Sequence, residues 1–149
     1  MLAAKRSPAL SRAGTARRAP LAVVAAFTAT GATLADVEAA GGKKVVEVGA
    51  AGRVLLAQDG GKLYALANKC AHLGLPLQGK TPLLQAKIEG GCVTCPAHGT
   101  KFALADGAVQ GEWCPKMPSL GPFGKLGNPK PQPTFPVRVT ESGAIEVDL

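Results

Sequence analysis

Two short stretches set a thiol beside an imidazole: "NKCAHLG" over Asn68 to Gly74 and "CPAHGTKF" over Cys95 to Phe102. Between them they hold both histidines of the 149-residue chain and two of its four cysteines. Gly and Pro punctuate each stretch, so each reads as a tight turn whose side chains converge. Two thiolates and two imidazoles, from Cys70, His72, Cys95 and His98, make a donor set that suits a tetrahedral zinc ion or a [2Fe-2S] cluster. A third reading is a pair of unrelated buried thiols with two stray imidazoles. Cys92 widens the zinc option, because Cys92-x-x-Cys95-x-x-His98 has zinc-knuckle-like spacing and Cys92 could replace another ligand.

Short strands must carry these turns. "KKVVEVGA" (Lys43 to Ala50) and "RVLLAQ" (Arg53 to Gln58) are apolar and β-branched, and Asp59-Gly60-Gly61 supplies a tight turn into "KLYALAN" (Lys62 to Asn68). The three predict an antiparallel meander that delivers the chain into a first loop over 68–76. "LQAKIEG" and "GCVTC" are extended pieces split by Gly90-Gly91, and they deliver a second loop over 92–100. "GTKFALA" and "AVQGE" flank an Asp106-Gly107 turn as a further hairpin. From Pro115 to Pro136 proline removes backbone donors and glycine frees φ, so that stretch is expected to be a loop. "TFPVRVT" and "AIEVDL" close the domain as a hairpin with Val137, Val139, Ile145, Val147 and Leu149 on alternate positions. The expected class is all-β and antiparallel.

The charge of +7 is unevenly placed. Lys5, Arg6, Arg12, Arg17 and Arg18 precede the first acid, Asp36, whereas from Asp36 onward 12 basic residues face 10 acidic ones. The excess belongs to the N-terminus and gives no footprint for nucleic acid. Residues 1–35 are basic, free of acids and rich in Ala, with Ser and Thr, the composition of an organelle transit peptide. Val23 to Ala26 resembles the V-x-A cleavage pattern of green algal chloroplast presequences. Rival readings are a twin-arginine export leader around Arg17-Arg18 and a disordered basic leader. The apolar run from Pro20 to Ala29 falls short of the ~20 residues of a membrane-spanning helix, and no later segment qualifies. The globular domain is expected over 43–149.

The two loops resemble those of the Rieske family, which read C-x-H-x-G and C-P-x-H-G; here they are "CAHLG" and "CPAHG". The resemblance extends over roughly Lys43 to Leu149. It implies a Rieske-type antiparallel β sandwich with a small cluster-binding subdomain of two loops. It also implies one [2Fe-2S] cluster, with Cys70 and Cys95 on one iron and His72 and His98 on the other. Structural zinc stays as the alternative. The high-potential members carry a bracing disulfide where this chain has Leu75 and Ala97, and a tyrosine where it has Phe102, although Thr100 stands in for their serine. The resemblance therefore implies a low-potential, ferredoxin-like type. Both histidines being committed, none is left for the mononuclear iron of the family's oxygenases, so a non-enzymatic electron carrier is expected. Cys92 and Cys114 are expected to be small buried residues without a part in ligation. The stretches "NKCAHLGLP", "GCVTCPAHGT" and "GEWCPK" resemble Rieske-domain proteins associated with photosystem II in thylakoids of plants and green algae. That likeness implies a chloroplast location in the stroma or at the thylakoid. The implied partner is a redox protein, photosystem II or another thylakoid complex, with a regulatory subunit as the alternative role.

Overall fold

The computed structural model of the chain describes residues 26–72, 74–116 and 128–149. The leader upstream of Ala26 and the Pro-rich stretch around Phe123 lie outside the described residues. The architecture is nearly all β and antiparallel. It opens with β1 (Phe27–Thr33) and a short helix α1 (Leu34–Ala39), followed by the meander β2 (Lys43–Val48), β3 (Gly52–Asp59) and β4 (Lys62–Ala67). A second set comprises β5 (Lys87–Glu89), β6 (Cys92–Thr94), β7 (Lys101–Ala103) and β8 (Val109–Gln110). The chain finishes with β9 (Thr134–Phe135), β10 (Val137–Val139) and β11 (Ala144–Asp148). They form three sheets, ordered β2-β3-β4-β9, β5-β6-β7-β8 and β1-β11-β10.

The β2-β3-β4-β9 sheet lies between the other two, and the run "VLLA" in β3 shows why. Val54, Leu55, Leu56 and Ala57 are all fully buried, as a strand covered on both faces requires. Successive side chains point to opposite faces. Leu55 and Ala57 join Leu66, Val93 and Phe102 in one core that also takes in Cys70 and Cys95. Val54 and Leu56 join Ala32, Val37, Ile145 and Val147 in the other. One core therefore backs the Cys/His loops, and the other closes the far side of the domain. Burying a leucine in either stabilises the fold by about 1.5–3 kcal/mol.

The meander, both later hairpins and the closing pair follow the sequence expectation, but the start of the folded region does not. β1 pairs with β11 from Phe27↔Asp148 to Thr33↔Ala144, and α1 buries Val37. Folded structure thus begins before Lys43 and overlaps the expected leader of 1–35. The local cause is a capping box: Thr33 Oγ1 accepts from the Asp36 backbone N–H (3.2 Å) and the Asp36 carboxylate accepts from the Thr33 N–H (2.8 Å). In the closing hairpin Ile145 and Val147 are buried as their alternation predicts, whereas Val139 and Leu149 are exposed. Val139 is the last residue of a three-residue edge strand, and Leu149 lies beyond the last registered pair. Among the described residues no helix is long and apolar enough to cross a membrane.

Candidate metal centre

Both Cys/His loops leave a strand end and close by the same device. In the first, Gly74 N–H donates to the Cys70 carbonyl (2.9 Å); in the second, Gly99 N–H donates to the Cys95 carbonyl (2.9 Å). Each glycine stands four residues after its cysteine with φ at 74° and 79°, a left-handed conformation that a Cβ disfavours. The shared Cys-x-x-x-Gly spacing is therefore the sequence trace of one backbone turn used twice.

The first loop is held from two sides by buried amides. Asn68 accepts the Gln78 N–H on Oδ1 (2.8 Å) and donates from Nδ2 to the Gln78 carbonyl (3.0 Å). Gln132, only 1% exposed, donates from Nε2 to the carbonyls of Ala67 (2.7 Å) and Lys69 (2.9 Å) and accepts the Ala71 N–H on Oε1 (2.9 Å). Its own N–H donates to the Gly107 carbonyl (2.8 Å). Gly107, at φ 77°, lies so close to the Gln132 carbonyl that no other residue fits there. The second loop repeats a further bond of the first: Cys95 N–H donates to the Thr100 carbonyl (2.9 Å), as Cys70 N–H does to the Leu75 carbonyl (2.7 Å).

These supports bring the four expected donors together. His98 Nε2 lies 3.0 Å from Cys70 Sγ and 3.5 Å from Cys95 Sγ. The His72 ring meets the His98 ring edge to face at 4.5 Å. Cys70, Cys95 and His98 are buried, and His72 is half-buried. Cys95 is pulled below the usual thiol range by the side-chain interaction with Cys70, by the N–H groups of Ala97 and His98 and by the Lys116 charge, against the cost of burial. Cys70 is pushed up by the same interaction with Cys95 and by burial. Burial, with the charge of His72, lowers the His98 pKa. A thiolate and a neutral imidazole are the forms that bind metal.

Sequence reasoning missed two neighbours. Trp113 lies edge-on to His72 at 5.2 Å and to Phe102 at 6.4 Å, and its enclosed Nε1 has no hydrogen-bond partner among the described residues. Cys114 is buried, as expected, but its Sγ clusters with ring nitrogens of His72 and His98 within 4.8 Å. Its backbone, at φ 50°, donates from N–H to Thr100 Oγ1 (2.9 Å), which also lies 3.1 Å from His98 Nδ1. Nothing in the spacing of "GEWCPK" signals either contact. Cys92 is half-buried at the start of β6 opposite Ala103, outside the converging donors, which removes the zinc-knuckle arrangement. All four cysteines are free, and Leu75 and Ala97 stand exposed at the loop tips.

The donor chemistry fits an iron–sulfur cluster. Paired thiols suit one metal and paired imidazoles another. Residues 30–135 match the model of the Rieske [2Fe-2S] domain. Apoptosis-inducing factor 3 of Mus musculus is 38% identical over 72 residues, covering 48% of this chain and 11% of that protein. The match thus spans about a tenth of that relative. Among solved structures, the ferredoxin of carbazole 1,9a-dioxygenase from Nocardioides aromaticivorans IC177 superposes with a TM-score of 0.59 at 21% identity, covering 82% of this chain and 96% of that one. A complex of reduced oxygenase and oxidized ferredoxin in carbazole 1,9a-dioxygenase gives 0.53 at 22%, covering 72% and 81%. At these identities the likeness is one of fold.

Proposed function

The chain belongs to the Rieske [2Fe-2S] domain family, which binds one [2Fe-2S] cluster, and from that premise we propose that it is a one-electron carrier and not itself an enzyme. The observation that carries this reading is the convergence of Cys70, Cys95, His72 and His98 at the ends of two strands, three of them buried. Cys70 and Cys95 hold one iron, His72 and His98 the other. Bound there, the cluster supplies reversible one-electron transfer, and its two neutral imidazoles ease reduction of one iron. The rest is done by the chain. Asn68 and Gln132 fix the first loop, and the Trp113 ring packs edge-on against His72.

A docked redox protein is the expected partner, and the fold it shares with a ferredoxin seen in complex with an oxygenase supports that. The acid-free basic leader and the loop motifs favour a chloroplast location, in the stroma or at the thylakoid, with a thylakoid complex such as photosystem II as partner. The enclosure of His98 favours a second reading, in which the domain is a subunit or regulator kept within such a complex. Iron and acid-labile sulfide analysis of the gently isolated protein tests the centre: two of each per chain are expected, and zinc would overturn it. Reversible reduction of the isolated protein by a soluble donor separates carrier from subunit. Imaging of a fluorescent fusion to the whole chain tests the location.

A further inference from the structure

The acids of this chain avoid the ligand loops. Residues 60–88, 90–105 and 113–140 contain no Asp or Glu, yet they include both loops and the stretch that packs on the first of them. The strands show where the acids went. β4 starts at the turn after Asp59 and β6 at the turn after Glu89, and those two turns meet through the Gly91 N–H and the Asp59 carboxylate (2.6 Å). Both strands then run away from that end and lead into the loops of Cys70 and Cys95. At the acidic end Lys87 is paired with Glu89 (3.2 Å).

Three lysines stand at the other end. A Cβ on Gly74 would fall 2.8 Å from Lys69 Cε, and one on Gly99 would fall 3.1 Å from Lys116 Cγ. Each lysine stem therefore lies across one ligand loop at its closing glycine, and the Lys116 N–H donates to the His98 carbonyl (3.2 Å). Lys69 and Lys130 both line a groove of about 380 Å³ that is otherwise largely apolar, with Ala67, Ala71, Pro131, Pro133 and Cys70 in its lining. All three lysines are exposed, and none is in an ion pair among the described residues. Glu112, beside Trp113, and Asp106, next to the Gly107 that packs on Gln132, are exceptions to the local sign.

We propose that this end of the domain is a basic docking face, rimmed by Lys69, Lys116 and Lys130, for the acidic surface of a redox partner protein. An apolar groove flanked by unpaired cations beside the ligands suits a partner that presents carboxylates around its own redox centre. Complementary charge of this kind raises the encounter rate and fixes orientation, and salt screens it. The proposal takes the cluster-bearing reading as its basis.

Stopped-flow oxidation of the reduced, loaded full chain tests it. One electron leaves the protein and converts hexacyanoferrate(III), an anion, to hexacyanoferrate(II); the cationic tris(phenanthroline)cobalt(III) is the control oxidant. The anion's rate should fall as salt rises, and the cation's should rise. The double variant Lys69→Glu/Lys130→Glu should slow the anion by about threefold or more. Lys62→Glu, at the acidic end of β4, changes charge in the same sense and should alter the rate far less. Rates that ignore salt, or an equal effect of Lys62→Glu and of Lys69→Glu alone, would overturn the docking face. If the double variant fails to load, Lys69→Gln and Lys130→Gln carry the same test. Phosphatidylglycerol vesicles that sediment the wild type and not the double variant would assign the face to lipid instead. A wild type that takes up iron and sulfide but shows none of these charge effects sinks the docking face alone, whereas one that takes up neither sinks the carrier reading itself.

Discussion

Gly74 and Gly99 each let a cysteine carbonyl receive the N–H four residues on, so the paired loops are legible as a pair because they share a turn, not only a ligand type. The donors were legible for that reason; Trp113 and Cys114 were not, because their proximity depends on how 111–116 folds back over the second loop. Replacing His72, His98 or Cys95 by Ala should abolish cluster loading, whereas Cys92→Ser should leave it intact, as read by the visible absorbance of the reconstituted protein. Loading should also depend on pH. Cys70 keeps its proton more firmly than an ordinary thiol and must lose it to bind iron, so loading should weaken as pH falls and release protons measurable in weakly buffered solution. Phe102 is fully buried in the core beside both cysteines and offers no donor. A midpoint near the low end of the Rieske range, about −150 mV, is expected by protein-film voltammetry, and Phe102→Tyr should raise it.

β1 and α1 are the elements that composition concealed. "FTATGAT" alternates small residues with threonine and gives little hydrophobic contrast, so it blends into the Ala-rich leader; the signal that could have found it is Thr33-x-x-Asp36 ahead of the buried Val37. Thr33→Ala should cost about 1 kcal/mol in urea unfolding. The Asp36 pKa is lowered chiefly by the Thr33 N–H, then by its hydroxyl. A depressed folded pKa means that Asp36 stabilises the fold above the ordinary aspartate range and that this is lost as pH falls through the lowered value. Asp36→Asn should accordingly flatten the acid limb of the stability curve. Any removal of the expected leader must spare β1. N-terminal sequencing of native protein should find a start no later than Phe27, and a chain begun at Asp36 should lose on the order of 2 kcal/mol from its missing ladder and the uncovered Ile145 face.

At the scale of the whole molecule, the β2-β3-β4-β9 sheet separates a metal-side core from a closing core, and neighbouring residues of one strand serve different ones. Leu55→Ala and Leu56→Ala should each cost about 2–5 kcal/mol. Only Leu55→Ala, which opens the core containing Cys70 and Cys95, should also hasten cluster loss at native denaturant concentrations, followed as bleaching of the visible bands. The continuous "VLLA" run made a buried strand legible, but not which core each side chain enters, since that depends on the sheets packed above and below. Gln132 was beyond sequence reasoning for a similar reason: its partners at Ala67, Lys69 and Ala71 are more than 60 residues away in the chain.

The pairing of Phe27 with Asp148 brings the two ends of the folded unit side by side, in the sheet turned away from the ligand loops. Phe27 and Asp148 therefore both lie at the back of the domain. A tether at either end, or at both, lets the unit swivel without lying across its working face. The unit can also be spliced into a longer chain with a gap only one strand spacing wide, about 5 Å. Such a geometry suits a module passed between larger architectures, its contact surface kept outward in each of them.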